Sequence, residues 1–350
     1  GPAGADRTTL AGMTNVETDP AELVCRSGAA GATGSGAAGP VEILKPRDVP
    51  LGGIRAMTVR RTLPLKQRSL IGAWCFADHY GPDRVADSGG MDVAPHPHTG
   101  LQTVSWLFEG EIEHRDSLGS HAMVRPGELN LMTAGQGISH SEVSTPATQL
   151  LHGVQLWVAL PDAARQIAPS FEHVVPEDAR DGDVRCRVFI GSWLGLSSPA
   201  TVHSPLLGAE LVLAPGARTE LPLTAEFEHG VLVDSGAVRV DGAPVGRAAM
   251  AYLPPGTRTV SLSNGATPAR LVLLGGEPLR EEIVMWWNFI GRSHDEVVAF
   301  RQQWQDEIAA FAAGSAPATR FGRVVGYPGR PLPAPEMPAI RLRPRPSPGR

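Results

Sequence analysis

Thiol chemistry is nearly absent from this sequence: three cysteines in 350 residues, Cys25, Cys75 and Cys186, stand far apart and outside any CxxC pair. An odd number at such spacing gives neither a disulfide framework nor a thiolate zinc site, and reads as ordinary reduced thiols. Long hydrophobic runs are missing as well, since no apolar stretch approaches the roughly 18 residues of a membrane span. Residues 1–40 lack the basic start and apolar centre of a secretory leader, which with the cysteine usage makes the cytoplasm the expected location. Charge of one sign is not concentrated either. The formal net charge is −5 with no basic block in the folded portion, so direct nucleic-acid binding is not expected.

What is present is a series of short apolar segments cut by Gly and Pro. Hydrophobic content of 42% with 19% charged residues fits a globular chain, and 350 residues leave room for two domains. Residues 1–40 are rich in Gly and Ala and bury too little apolar surface to order, so a disordered extension is expected there, with Met13 a candidate start of the natural chain. From 41 to 160 the segments RAMTVRR, IGAWCFADHY, LQTVSWLF, EIEHRDS, HAMVRPGELNLM and LLHGVQLWVAL read as strands, with turns at Glu109-Gly110 and Pro126-Gly127. After a linker at 161–184, residues 185–280 repeat the style in RCRVFIG, AELVLAPGA, EHGVLVDSGAVRVDG, AAMAYLPPGT and ARLVLLGG. Closely spaced strands without helical periodicity make both units sandwiches or barrels, and the chain all-β. Within 281–313, Ser293 can cap a helix with Glu296 completing a capping box, and Val297, Phe300, Trp304, Ile308 and Phe311 share one face. The Pro- and Arg-rich tail, 314–350, is expected to be disordered or extended over the surface.

Eleven histidines occur, and three of them fall in a pattern with chemical consequences. Residues two apart on a strand share a face, so PHPHTG aligns His96 with His98, and SHSE aligns His140 with Glu142. An isolated HxH in a strand is usually a pair of surface or hydrogen-bonded histidines, and the HxE of a neighbouring strand is what raises the metal reading. Two such pairs facing each other inside a barrel make four ligands of the borderline type that suits Fe(II), Mn, Ni, Cu or Zn. Laying Gly236 on Gly110 puts Pro222 and Thr224 where His96 and His98 stand, so the second barrel is expected to lack ligands.

The segment PHPHTGLQTVSWLFEGEIEHRDS, followed by RPGELNLMTAGQGISHSE, resembles the pirin family of the cupin superfamily, densely over residues 60–160, with a return at GGEPL near 277. The resemblance implies two tandem cupin-type β-barrels (a bicupin) with a C-terminal helix, the first barrel holding one iron through His96, His98, His140 and Glu142. It further implies oxidative opening of a flavonol such as quercetin by dioxygen, with Glu142 as the catalytic proton acceptor. The alternative it carries is a non-catalytic, redox-responsive module that acts through protein partners.

Two positions depart from the family pattern: Thr99 replaces a basic residue and Gln102 an acidic one. Gln102 has the alternation phase of His98, which places it near the metal; satisfying a buried backbone group is the other reading. His114 is expected on the surface or behind the ligands. Trp106 shares a face with Val104 and Phe108, and forms barrel core or lines a substrate pocket. MWWNFIG also differs from the usual family segment, and its Trp286 and Trp287 read as domain packing.

Overall fold

The alternating segments pair into antiparallel sheets, and the structure, a computed structural model, describes residues 41–51, 57–315 and 319–344. The expectations for residues 1–40, including Met13 and Cys25, lie outside the described residues. Among those described, two domains share one design: a seven-stranded sheet packed on a four-stranded sheet. In the first domain the large sheet runs Ser170–Val174, Leu129–Thr133, Leu101–Glu109, Leu150–Ala159, Trp74–Arg84, Met57–Leu63, Arg47–Leu51. Its small sheet runs Asp92–His98, Ile138–Ser144, Ile112–Asp116, His121–Val124. In the second domain the large sheet includes Glu228–Ser235, Ala269–Gly276 and Leu206–Leu213, and the small one is Arg218–Pro222, Thr259–Asn264, Val238–Val240, Ala243–Val245.

Both faces of the large sheets are buried, which is why their strands read as nearly continuous apolar runs. One face covers its own domain's interior, where Val59, Tyr80 and Leu107 meet Val93, Ile112 and Val124 of the small sheet. The other joins the two domains: Val104, Trp106, Leu131 and Leu156 interlock with Phe189, Leu206, Leu232 and Leu274. Phe189 stacks on Trp106 at 4.6 Å, and the Trp106 indole Nε1 donates to Glu210 across the junction at 2.7 Å.

Pairing departs from the sequence divisions in two places. Glu42–Leu44 lies along Met250–Leu253, so the chain adds a strand to the second domain before it enters the first. Met250–Leu253 offers an open sheet edge there, and Leu44 is buried in the junction. The segment 161–184 is also no plain linker, because Ser170–Val174 pairs with Leu129–Thr133 and Asp178–Asp181 pairs with Val184–Ile190. These strands of four or five residues are too polar and too short to announce themselves by alternation.

The helix His294–Ala312 starts where its capping residues place it, with the Ser293 hydroxyl accepting from Glu296 N. Glu296 reaches one residue further back than a capping box requires and accepts from Arg292 N at 2.6 Å. Val297, Phe300 and Trp304 pack on the hairpin Val284–Trp286/Phe289–Gly291 together with Trp286 and Trp287. The tail over 319–344 takes the extended alternative. It buries Phe321, Leu332 and Leu342, and Leu332 N donates to Pro95 O at 2.8 Å. No described helix is long and apolar enough to cross a membrane.

Candidate metal centre

Strand pairing assembles the site. Asp92–His98 is the edge strand of its sheet, the one position that tolerates Pro95 and Pro97, which cannot donate to a ladder. Ile138–Ser144 lies beside it with His140 opposite His96, and on its other side Glu142 stands opposite His114. A register shift between His140 and Glu142 accommodates the pairing to both neighbours. The strand ends at Gly100, whose φ is +68° and where an added Cβ would meet Ile290 O at 2.4 Å, so only glycine fits this turn.

The three imidazoles converge in the interior, fully or almost fully buried. Ring centroids lie 5.0 Å apart for His96 and His98, 4.3 Å for His96 and His140, and 5.0 Å for His98 and His140. His98 Nε2 and His140 Nε2 are 3.1 Å apart. Neighbouring ligand atoms around a metal with bonds of about 2.1 Å stand about 3.0 Å apart in an octahedron and about 3.4 Å in a tetrahedron. The spacing therefore suits two ligands of one ion.

Hydrogen bonds hold the rings in the ligating tautomer. His96 Nδ1 donates to Ala94 O at 2.8 Å, which makes Nε2 the nitrogen that bears the lone pair. His114 Nε2 donates to Asp116 Oδ2 at 3.1 Å, so its Nδ1 can accept from His140 Nδ1 at 3.4 Å. The relay Asp116–His114–His140 thus directs the His140 Nε2 lone pair into the centre, as carboxylates behind metal-bound histidines do. Phe171 stacks on His114 at 4.5 Å and Trp157 meets His98 edge-on at 5.3 Å.

Burial keeps the cluster neutral. It pushes His96 down to about 4, and it lowers His98 and His140 well below the ordinary histidine value, assisted by the neighbouring imidazoles. The same burial raises the Glu142 carboxyl, against the pull of His114 and of Ser105. Glu142 Oε1 accepts from the Ser105 hydroxyl at 3.1 Å, while Oε2 is buried with no hydrogen-bond partner among the described residues. Two overlapping groups, His96/His98/His140 and His114/His140/Glu142, bring ligand atoms within 4.8 Å of one another. A buried carboxylate oxygen without a partner beside three neutral imidazoles is a donor set that fits a divalent metal.

Gln102 and Trp106 each take one of their two open readings, Gln102 as the partner of a buried backbone group and Trp106 as core. Gln102 does not face the histidines. Its Nε2 donates to Thr133 Oγ1 and to Thr201 O, each at 2.9 Å, at the junction with the segment after the second domain's first strands. Alternation was carried from His98 to Gln102 across the Thr99-Gly100 turn, and the turn resets the phase. Ser105, not Gln102, is the residue of this strand that reaches the site. For the same reason Trp106 lines no pocket there but packs between the domains. His114 lies against His140, with ring centroids 5.2 Å apart. Sequence reading passed over Ser105, whose strand is buried on both faces and gives no sign of which one meets the site, and over Asp116, which the two-residue spacing from His114 could have flagged.

A second histidine group lies at the domain junction: His79, His152 and Asp234. Here His79 Nε2 and His152 Nε2 stand 2.6 and 2.5 Å from Asp234 Oδ1, distances of hydrogen bonds rather than of co-ligands. Arg60 donates to His79 Nδ1 at 3.0 Å, which assigns the proton to Nε2 and removes that lone pair from metal binding. Among the described residues no such group forms within the second domain alone.

Family comparisons agree with this anatomy. The Pirin family model matches residues 54–158, and the model for the Pirin C-terminal cupin domain matches 208–309. A Pseudomonas aeruginosa protein named "Putative quercetin 2,3-dioxygenase PA1205" is 42% identical over 294 residues, 83% of this chain and 89% of its own length. A pirin-like protein of Caulobacter vibrioides is 38% identical over 71% of this chain and 88% of its own. The crystal structure of a quercetin 2,3-dioxygenase from Acinetobacter baumannii superposes with a TM-score of 0.79 at 37% identity, covering 86% of this chain and 97% of that one. The fold is therefore the expected pair of cupin-type domains with a C-terminal helix.

Proposed function

Because the chain belongs to the pirin family, we propose that it is a metal-dependent dioxygenase that opens flavonols such as quercetin with dioxygen, using one Fe(II) held by His96, His98, His140 and Glu142. The observation that carries this reading is the convergence of three buried, neutral imidazoles, His96, His98 and His140, with Glu142 and its unpartnered oxygen grouped on the shared His140. Three imidazoles and one carboxylate leave open positions on a six-coordinate ion, as catalytic sites need. When bound, the metal supplies a Lewis acid that lowers the pKa of a flavonol hydroxyl. Glu142 accepts the hydroxyl proton, its basicity raised by burial and its orientation set by the Ser105 hydroxyl. Trp157, Phe76 and Phe171 give the centre apolar walls that suit a flat ring system and exclude water.

The test is anaerobic purification with metal analysis, then flavonol turnover by iron-loaded against metal-free protein. Turnover that needs the metal and disappears in His96→Ala is expected. Absence of turnover at full iron occupancy would replace the enzyme by the non-catalytic regulatory module.

A further inference from the structure

The segment MWWNFIG, which departs from the family pattern, delivers one more polar group to the first domain. Trp286 and Phe289 close a two-residue hairpin turn at Trp287-Asn288, with Trp287 at φ +51°, a left-handed conformation that a bulky residue adopts only at a cost. The hairpin is fixed to the strand end that bears His98, because Ile290 N donates to Thr99 O at 3.0 Å and Gly100 lets the Ile290 carbonyl approach. The Asn288 backbone itself lies against the His98 ring.

The residues that follow the turn mark the two faces of the hairpin. Phe289 packs outward with Phe300 and Phe321, whereas Ile290 packs inward with Phe76, Ile138 and Trp157. Ile138 and Trp157 are the residues that flank His98, by strand pairing and by ring contact. Asn288 is 0% exposed, and neither its Oδ1 nor its Nδ2 has a hydrogen-bond partner among the described residues. Leaving a buried donor or acceptor unpaired costs about 1–3 kcal/mol, so an amide kept here in a strained turn points to a ligand rather than to the fold.

We propose that the Asn288 side chain is a ligand-binding group of this centre, pairing its amide N–H and C=O with the neighbouring hydroxyl and carbonyl oxygens of a planar, oxygenated aromatic molecule. An amide presents one donor and one acceptor side by side, the complement of an adjacent hydroxyl–ketone pair. A flavonol carries that pair, and in this respect the inference rests on the flavonol reading above.

The experiment uses the full chain loaded with iron under nitrogen, titrated with quercetin and read by the change in flavonol absorbance, alongside thermal melting of the ligand-free protein. Asn288→Leu keeps the volume and removes both polar atoms, and Asn288→Asp keeps the shape and one acceptor as a second variant. Expected are quercetin affinity at least about 10-fold weaker in Asn288→Leu and a ligand-free melting temperature equal to or above that of the parent. Asn288→Asp should lie between them in affinity. Parental affinity in both variants overturns the proposal and leaves the flavonol reading standing. A melting temperature several degrees lower in both ligand-free variants overturns it too, by making the amide a structural group. If the parent itself binds no quercetin, the flavonol reading fails and takes this ligand for Asn288 with it.

Discussion

Replacing Asp234 by Ala tests whether the junction cluster is a hydrogen-bonded clamp between domains or a second metal site. Asp234 comes from the second domain, and its Oδ1 receives Nε2–H from His79 and from His152 of the first at 2.6 and 2.5 Å. Its Oδ2 faces Arg270 Nη1 at 3.3 Å. Burial alone would raise this carboxyl, but the His152 and His79 bonds outweigh it and hold it well below the usual carboxylate range. Removing the acceptor strands two buried imidazole donors, each costing about 1–3 kcal/mol, and leaves Arg270 one partner fewer, for a loss of about 3–5 kcal/mol in all. Asp234→Asn retains an acceptor of the same shape and should cost about 1–2 kcal/mol. Urea denaturation followed by tryptophan fluorescence and by far-ultraviolet circular dichroism measures the loss. In Asp234→Ala the two transitions should separate as the domains uncouple. Metal content should stay at one ion per chain. A loss below about 1 kcal/mol, or a metal equivalent that disappears with Asp234, would refute the hydrogen-bond assignment.

Three further outcomes are expected. Glu142→Gln keeps the side chain's shape but not its charge or basicity. Metal binding should weaken yet remain measurable, and flavonol turnover at full occupancy should drop by about 100-fold or more; a parental rate would remove Glu142 from proton transfer. Gln102→Glu sets a carboxylate against the Thr201 carbonyl, so stability should fall by about 2–4 kcal/mol with metal content unchanged. A shifted metal potential at unchanged stability would return Gln102 to the centre. His229, buried in the second domain with no hydrogen-bond partner for either ring nitrogen among the described residues, is pushed by burial to about 4 from 6.5. The unfolded chain therefore takes up this proton first, and stability should fall by about 3 kcal/mol as the pH drops from about 6.5 to about 4. His229→Leu should flatten that acid slope in pH-dependent denaturation, and an unaltered slope would disprove the assignment.

Period-two patterning and turn residues determined the β-class, the two-domain repeat and the capped helix, because those signals are local and each strand must turn one face inward. The same local rule paired His96 with His98 and His140 with Glu142, so four of the residues at the centre were legible in the amino-acid sequence alone. Tertiary structure decided what local periodicity cannot carry. The phase was reset at Gly100, which moved Gln102 and Trp106 from the centre to the junction and put Ser105 in their place. Strands as short and polar as Ser170–Val174 found partners only through the sheet edges waiting for them. Asn288 beside His98 and the clamp of His79 and His152 on Asp234 join residues up to 190 positions apart, and no spacing rule spans such a distance. Those contacts exist because hydrogen bonds and buried charge are satisfied in three dimensions, where chain distance no longer counts.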